Sequence, residues 1–295
     1  GGLKPMLPSA RPLHWGDTAA TVAPSSALSS DQLLAEGLSI LRSWGLHTLE
    51  QTVVERQWGY FAGRDQERLA DLHQPSPLLA CARGGWGAAR LLEQPIRWAP
   101  GWLLGFSDIT ALLLARLASG YEGCVHGPLL TTLAAEPEWS RERLRRLLFG
   151  EAVPDLKGRA GGGGQVSGPL LVANLTVASH LLGSPWMPEL RGAILIFEDV
   201  GEEPYRIDRM LTHWRLCGAL QHLAGIGFGR FSGCEDDDGA SSGFSLDEVL
   251  LERTADLNLA RVFDLPVGHC VGNAALPLGR SACLDGDQGQ LSLLP

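Results

Sequence analysis

Trp102-Leu103-Leu104-Gly105-Phe106-Ser107-Asp108-Ile109-Thr110-Ala111-Leu112-Leu113-Leu114-Ala115-Arg116-Leu117-Ala118 carries two kinds of local order in seventeen residues. The short apolar run at 102–106 predicts a buried strand, and 109–118 a helix that Gly120 closes. A strand running straight into a helix is the βα unit of a parallel sheet. The same alternation recurs upstream. Residues 18–23 predict a strand ended by Pro24-Ser25-Ser26. Residues 30–44 predict a helix with Leu33, Leu34, Leu38 and Leu41 on one face and Gly45 at its end. Residues 48–54 read as a second strand and 65–73 as a polar helix. Residues 78–82 read as a buried strand that enters Arg83-Gly84-Gly85-Trp86-Gly87 and a short helix.

Downstream the composition changes. Gly158-Arg159-Ala160-Gly161-Gly162-Gly163-Gly164-Gln165 has no apolar period, so 151–168 reads as a glycine-rich linker between domains at 1–150 and 169–295. It lacks the Lys-Ser/Thr ending of a phosphate loop. The second domain is expected to hold strands at 193–197, 226–231 and 260–265. Its helices are expected from Pro204, with Ile207, Met210, Leu211 and Trp214 at helical spacing, and over 246–257. Glu235-Asp236-Asp237-Asp238-Gly239 reads as a solvated acidic turn, because it lacks the ligand pattern of a calcium loop.

With 295 residues the chain is long enough to bury a large core without staples. Its formal net charge of −9 argues against a nucleic-acid or anionic-membrane surface. None of the six cysteines, Cys81, Cys124, Cys217, Cys234, Cys270 and Cys283, forms a metal-type pair. Cys81 and Cys217 lie in apolar runs and read as small hydrophobes, so a reducing compartment is expected, without cofactor or metal. No apolar span reaches transmembrane length, and the N-terminal segment does not read as a signal peptide.

Chemistry concentrates at strand ends. Ser107 at a strand-to-helix turn suits a nucleophile, and equally suits a helix cap. The elbow pattern Gly-x-Ser-x-Gly is incomplete, with Ile109 in its last place. The Arg83–Gly87 turn could present backbone N–H groups to an anion, or serve only as a tight turn. Glu198-Asp199 ends an apolar strand, where a carboxylate needs a partner such as histidine, or the acids cap the helix near Pro204. Of eight histidines, His126, His180 and His269 are candidates; His269 follows a strand, a proline and a glycine on a loop.

In chain order, Tyr60-Phe61-Ala62-Gly63, Arg83–Leu92, Gly105-Phe106-Ser107-Asp108-Ile109-Thr110 and His126-Gly127-Pro128 form one set of signatures. Asn174-Leu175-Thr176, Leu182-Gly183-Ser184-Pro185, Phe197–Glu202, Tyr205–Leu211 and Leu265-Pro266-Val267-Gly268-His269 continue it. Together they resemble the LD-carboxypeptidase family of serine peptidases, which includes the microcin C immunity peptidases. Val172-Ala173 stands where that family often has two glycines, and Trp86 replaces a common tyrosine.

The resemblance implies an α/β protein: an N-terminal flavodoxin-like three-layer sandwich with class I amidotransferase likeness, and a C-terminal swivelling β/α domain. It implies a triad of Ser107, Glu198 and His269 formed across the domain interface. The backbone N–H groups of Asp108 and Gly85 are oxyanion-hole candidates, and Arg83 and Arg206 are candidates for a substrate carboxylate. The implied activity is release of the terminal D-alanine from murein tetrapeptides in cytoplasmic peptidoglycan recycling, with a homodimer expected. An immunity-type peptidase cleaving aminoacyl-nucleotides, with Trp186 under the base, and an inactive peptide-binding homologue are the alternatives.

Overall fold

The computed structural model describes residues 10–235 and 243–295, so the acidic stretch at 236–239 lies outside the described residues. The chain divides into two compact units. The first holds residues up to Val153 together with Pro185–Pro188 and Val271–Leu278; the second holds Pro154–Ser184, Glu189–Cys270 and Gly279–Pro295.

In the first unit, strands β1 (Thr18–Val22), β2 (His47–Thr48), β3 (Leu78–Cys81), β4 (Trp102–Gly105) and β5 (Cys124–His126) pair in parallel in the order β5-β4-β3-β1-β2. A short strand from far along the chain, Leu276–Pro277, adds antiparallel to β5. The strands are nearly all buried, with Val22, Leu78, Leu103 and Leu104 at most 1% exposed, as expected of a parallel sheet covered by helices. Those helices are α1 (Asp31–Ser43), α2 (Asp65–Asp71), α3 (Thr110–Ala118), α4 (Leu130–Leu133) and α5 (Glu138–Leu148). Strand order reverses between β1 and β3, the kind of switch point beyond whose carboxyl ends open α/β sheets bind ligands.

Several sequence expectations shift here. The strand expected at 48–54 is only His47–Thr48. The Gln51 side chain takes the Val53 N–H at 2.9 Å, and Val53–Glu55 turns into a 3₁₀ helix. On α1, Leu33 is exposed, and Gly37 takes its place on the buried face with Leu34, Leu38 and Leu41. A glycine is needed there, since a Cβ would stand 1.9 Å from the Leu130 carbonyl oxygen.

In the second unit, β6 (Leu156–Lys157), β7 (Arg159–Ala160), β8 (Gln165–Asn174), β9 (Ile194–Val200), β10 (Gly225–Ser232) and β11 (Ala260–Phe263) belong to an eight-stranded sheet. Counting Leu276–Pro277 as β12, the sheet is completed by β13 (Ser281–Asp285) and β14 (Gln290–Leu293). β8 to β11 run parallel at its centre, and antiparallel strands flank them. The stretch read as a linker therefore contributes β6, β7 and the start of β8. Its glycines suit close approach: a Cβ on Gly158 would stand 2.3 Å from the Phe263 carbonyl oxygen. Helices α6 (Leu175–Leu181), α7 (Pro204–Leu216) and α8 (Leu246–Glu252) accompany the sheet. α7 buries Ile207, Leu211 and Trp214, and the Trp214 ring meets Phe197 edge-on at 5.0 Å. Cys217, read as a small hydrophobe, is exposed just after α7, because the turn that ends the helix carries it out of the packed face.

Candidate active site

Ser107 follows β4 and opens a one-turn 3₁₀ helix, Ser107–Ile109, that continues into α3. It caps neither helix: Phe106 and Ile109 hold those positions. Its φ is +63°, one of three positive values among non-glycine residues described. Such a backbone costs about 1–3 kcal/mol and is retained where the surroundings enforce it. The result is a strand-to-helix elbow with Ser107 at its bend. The elbow's tightness explains Gly105, where a Cβ would lie 2.8 Å from the Ile109 side chain.

The Arg83–Gly87 turn lies against this serine. A Cβ on Gly84 would be 3.2 Å from Ser107 Cβ, 3.3 Å from its Oγ and 3.6 Å from the Asp108 nitrogen. Gly85, the residue singled out by sequence, has φ +99°, and its missing side chain would strike Ser26 Oγ at 2.1 Å. Gly84 is thus the closer neighbour of Ser107; the sequence marked its turn as a candidate anion site but singled out Gly85 as the donor. Ser26 organises the turn: its N–H donates to the Gly84 carbonyl at 3.2 Å, and its Oγ accepts from Trp86 N at 3.0 Å. The guanidinium of Arg83 donates to the Ala27 carbonyl. Arg68, wholly buried, donates to the carbonyls of Pro24, Gly63 and Gly87. Burial pulls its pKa below the usual arginine value, and the Asp65 carboxylate partly offsets that. His126 is fully buried in β5, edge-on to Phe106 at 5.7 Å.

The second unit holds its own constellation at the carboxyl ends of β8 and β9. Glu198 is 0% exposed, and its Oε2 lies 2.8 Å from His269 Nδ1. A carboxylate only accepts, so this contact calls for a proton on Nδ1. The His269 side chain is 22% exposed, which leaves the ring reachable. Gly268 has φ +121°, and a Cβ there would stand 2.9 Å from Glu198 Oε2. Asn174, directly opposite Glu198 in the β8–β9 register, donates from Nδ2 to Glu198 Oε1 and Asp199 Oδ1, each at 3.3 Å. Its Oδ1 caps α6 by accepting from Val177 N at 3.1 Å. Asp199 accepts from Thr176 N at 2.9 Å and Thr176 Oγ1 at 2.6 Å. Burial still holds its pKa above the usual carboxylate value.

The remaining sequence candidates are placed as follows. Arg206 is exposed on α7, with Tyr205 Oη at 3.1 Å and Glu202 at 3.7 Å. Trp186 is half-buried in the Pro185–Pro188 segment of the first unit. His180 is exposed at the end of α6. Sequence reasoning gave no role to Ser25 or Ser26, and quoted Asn174-Leu175-Thr176 as a signature without assigning its side chains a role; an Asn at a strand-to-helix junction is the signal that could have marked the cap. Among the described residues, no group of three or more His, Cys, Asp or Glu could hold a metal ion. No helix among them is long and apolar enough to cross a membrane.

Two matches cover the parts that carry these features. The LD-carboxypeptidase N-terminal domain matches residues 19–127, and the LD-carboxypeptidase C-terminal domain matches residues 167–284. A Synechocystis sp. protein, a carboxypeptidase by name, is 46% identical over 291 residues and 96% of each chain. The murein tetrapeptide carboxypeptidase of Pseudomonas aeruginosa is 33% identical over 91% of this chain and 93% of its own. The crystal structure of muramoyltetrapeptide carboxypeptidase from Oxalobacter formigenes aligns with a TM-score of 0.81 at 27% identity, over 94% of this chain and 97% of that one. Fold and relatives define a mixed α/β peptidase built on two sheets. The chain belongs to the LD-carboxypeptidase family.

Proposed function

We propose that the protein is a serine-type LD-carboxypeptidase that removes the terminal D-alanine from murein tetrapeptides. The observation that carries the serine mechanism is the left-handed backbone of Ser107, a strained elbow in the signature where the family resemblance places the nucleophile. The substrate class follows the Pseudomonas aeruginosa relative. In this reading His269 Nε2 takes the Ser107 proton, and Oγ attacks the scissile carbonyl. Glu198 holds the imidazole through Nδ1 and stabilises its cationic form. The proton then passes to the leaving D-alanine nitrogen, and water, activated the same way, releases the acyl group. Backbone N–H groups of Asp108 and of the Gly84-Gly85 turn receive the oxyanion. Arg83 or Arg206 receives the terminal carboxylate.

The reading also takes the first unit as a flavodoxin-like sandwich and the second as a swivelling β/α domain. It places a homodimer in the cytoplasm, serving peptidoglycan recycling.

The deciding experiment is release of D-alanine from purified murein tetrapeptide, followed by mass spectrometry for wild type and Ser107→Ala. The wild type releases D-alanine, and the folded variant does not. Unchanged turnover by Ser107→Ala sinks the mechanism; no D-alanine from the wild type sinks the substrate. Amidation of the substrate's C-terminus should lower kcat/KM at least about tenfold, since a charge-assisted contact is worth roughly 1.5–3 kcal/mol. Equal efficiency on both substrates argues against carboxylate recognition.

A further inference from the structure

Asp108 is the residue after the proposed nucleophile, yet its carboxylate is 1% exposed and turned into the first unit. Its Oδ2 accepts from Ser25 Oγ at 2.6 Å and from Ala88 N at 2.9 Å. Ser25 is itself 0% exposed, just beyond β1, and its carbonyl accepts from Ala62 N at 2.9 Å. Ser26, next in the chain, holds Gly84 and Trp86. The 84–88 segment is therefore fixed at its start by Ser26 and at its far end by Asp108. Buried Arg68 takes the Gly87 carbonyl at 2.8 Å between them, and its positive charge is attracted to Asp108. Three carboxyl-end loops, after β1, β3 and β4, meet on one carboxylate oxygen.

That oxygen belongs to the residue whose N–H follows Ser107. The backbone it fixes, through Ala88, is that of the turn in which a Cβ on Gly84 would stand 3.2 Å from Ser107 Cβ. An oxyanion site works only if its donors stand at a set separation before charge develops, so that nothing reorganises during the reaction. A buried carboxylate that fastens one donor's residue to the other donor's loop supplies that separation.

We propose that the Asp108 carboxylate and the Ser25 hydroxyl are positioning residues for oxyanion stabilisation, setting the Gly84-Gly85 backbone against the Asp108 N–H. The proposal rests on Ser107 being the nucleophile. Neither group touches the substrate, so their loss acts on the transition state and leaves ground-state binding alone.

The test uses the full chain with four variants: Ser25→Ala, Asp108→Ala, Asp108→Asn and, as control, Ser107→Ala. Each is measured for kcat and KM on murein tetrapeptide, for the rate of fluorophosphonate labelling, and for affinity to a peptide boronic acid that mimics the tetrahedral adduct. Ser25→Ala is expected to lower kcat by about 10- to 100-fold with KM within twofold, below the ~10²–10³ of losing a donor outright. Labelling and boronate affinity should fall by a similar factor. Asp108→Asn, which keeps an acceptor for Ala88 N, should recover most of what Asp108→Ala loses. The Asn variant and Ser25→Ala decide the matter if Asp108→Ala does not fold. Wild-type labelling at Ser107 with Ser25→Ala labelled equally fast overturns the proposal, as does a loss confined to KM. Failure of the probe to label Ser107 in the wild type overturns the nucleophile reading itself, whatever Ser25→Ala does.

Discussion

Gly268 shows how little space separates Glu198 from the loop that delivers His269. An alanine there would need φ near +121°, outside the L-residue regions, and would place Cβ 2.8 Å from Glu198 Cβ. The Glu198–His269 pair must move apart. Gly268→Ala should lower kcat/KM at least about tenfold, equivalent to ~1.4 kcal/mol, because the base loses its orientation. Steady-state kinetics alongside a circular dichroism melt checks it; a folded variant of wild-type efficiency would show that the pair tolerates displacement. Glu198→Gln should cost less than His269→Ala, since it alters the group that orients and not the base. Equal rates for Glu198→Gln and wild type would remove Glu198 from the mechanism. At this scale the segments of Ser107, Glu198 and His269 each left a cap or a structural role open, and only the family signatures singled the three residues out; the structure pairs two of them, Glu198 and His269, at 2.8 Å. The role of Ser25, and the placing of Gly84 rather than Gly85 beside Ser107, were not legible. Their meaning lies in contacts to residues far along the chain, Ser25 to Asp108 83 residues away and Gly84 to the serine that follows β4, and neither leaves a local pattern.

Among the elements, α1 sets two physical terms against each other. Glycine inside a helix costs about 1 kcal/mol relative to alanine, so propensity alone favours Gly37→Ala. The new Cβ would stand 1.9 Å from the Leu130 carbonyl oxygen, however, and that is backbone, which cannot swing aside. Overpacking of this kind costs about 1–3 kcal/mol. Packing wins, and Gly37→Ala should be destabilising, with a midpoint lowered by a few degrees at about 2–4 °C per kcal/mol. A raised midpoint in differential scanning calorimetry would show that α4 moves freely. The link between α7 and the turn after α8 gives a second case. Arg215 binds Asp256 through two bonds at 2.7 and 2.8 Å and holds its pKa at about 2, from 3.8. A depressed folded-state value means the contribution is present above the unfolded value and fades as pH falls through about 2. The pair is exposed, so salt should weaken it. Arg215→Gln should return Asp256 toward the ordinary carboxylate range in ¹³C NMR titration; an unmoved titration would assign the depression elsewhere. Elements with strong periodicity, such as β4, α3 and α7, were legible in type and near their limits. The 48–54 strand was not, because the Gln51 side chain competes for the backbone that a strand would have used.

For the whole molecule, the sequence order suggested one domain after another, while residues Val271–Leu278 pack with the first unit after the chain has built most of the second. No composition shift marks that return, since its cause is a set of long-range polar contacts. Glu136, 7% exposed, accepts from Gly272 N at 3.0 Å and from Asn273 N at 2.9 Å through the same oxygen. Ser140 Oγ donates to the Asn273 carbonyl at 3.0 Å, and Arg143 Nε to the Ala275 carbonyl at 2.9 Å. One face of the α5 region thus reads the backbone of the returning segment and leads it to β12 beside β5. Removing the acceptor leaves two buried N–H groups without it, at about 1–3 kcal/mol each before relaxation. Glu136→Ala should therefore destabilise the protein by about 2 kcal/mol or more. Glu136→Gln, which keeps a carbonyl oxygen in reach, should cost less than half as much. Urea denaturation gives the energies, and amide hydrogen exchange at Gly272 and Asn273 gives the cause. The two amides should lose protection in the alanine variant and retain it in the glutamine variant. Full protection in both would mean that Ser140 and Arg143 suffice to hold the segment, and that Glu136 is dispensable to the return of the chain.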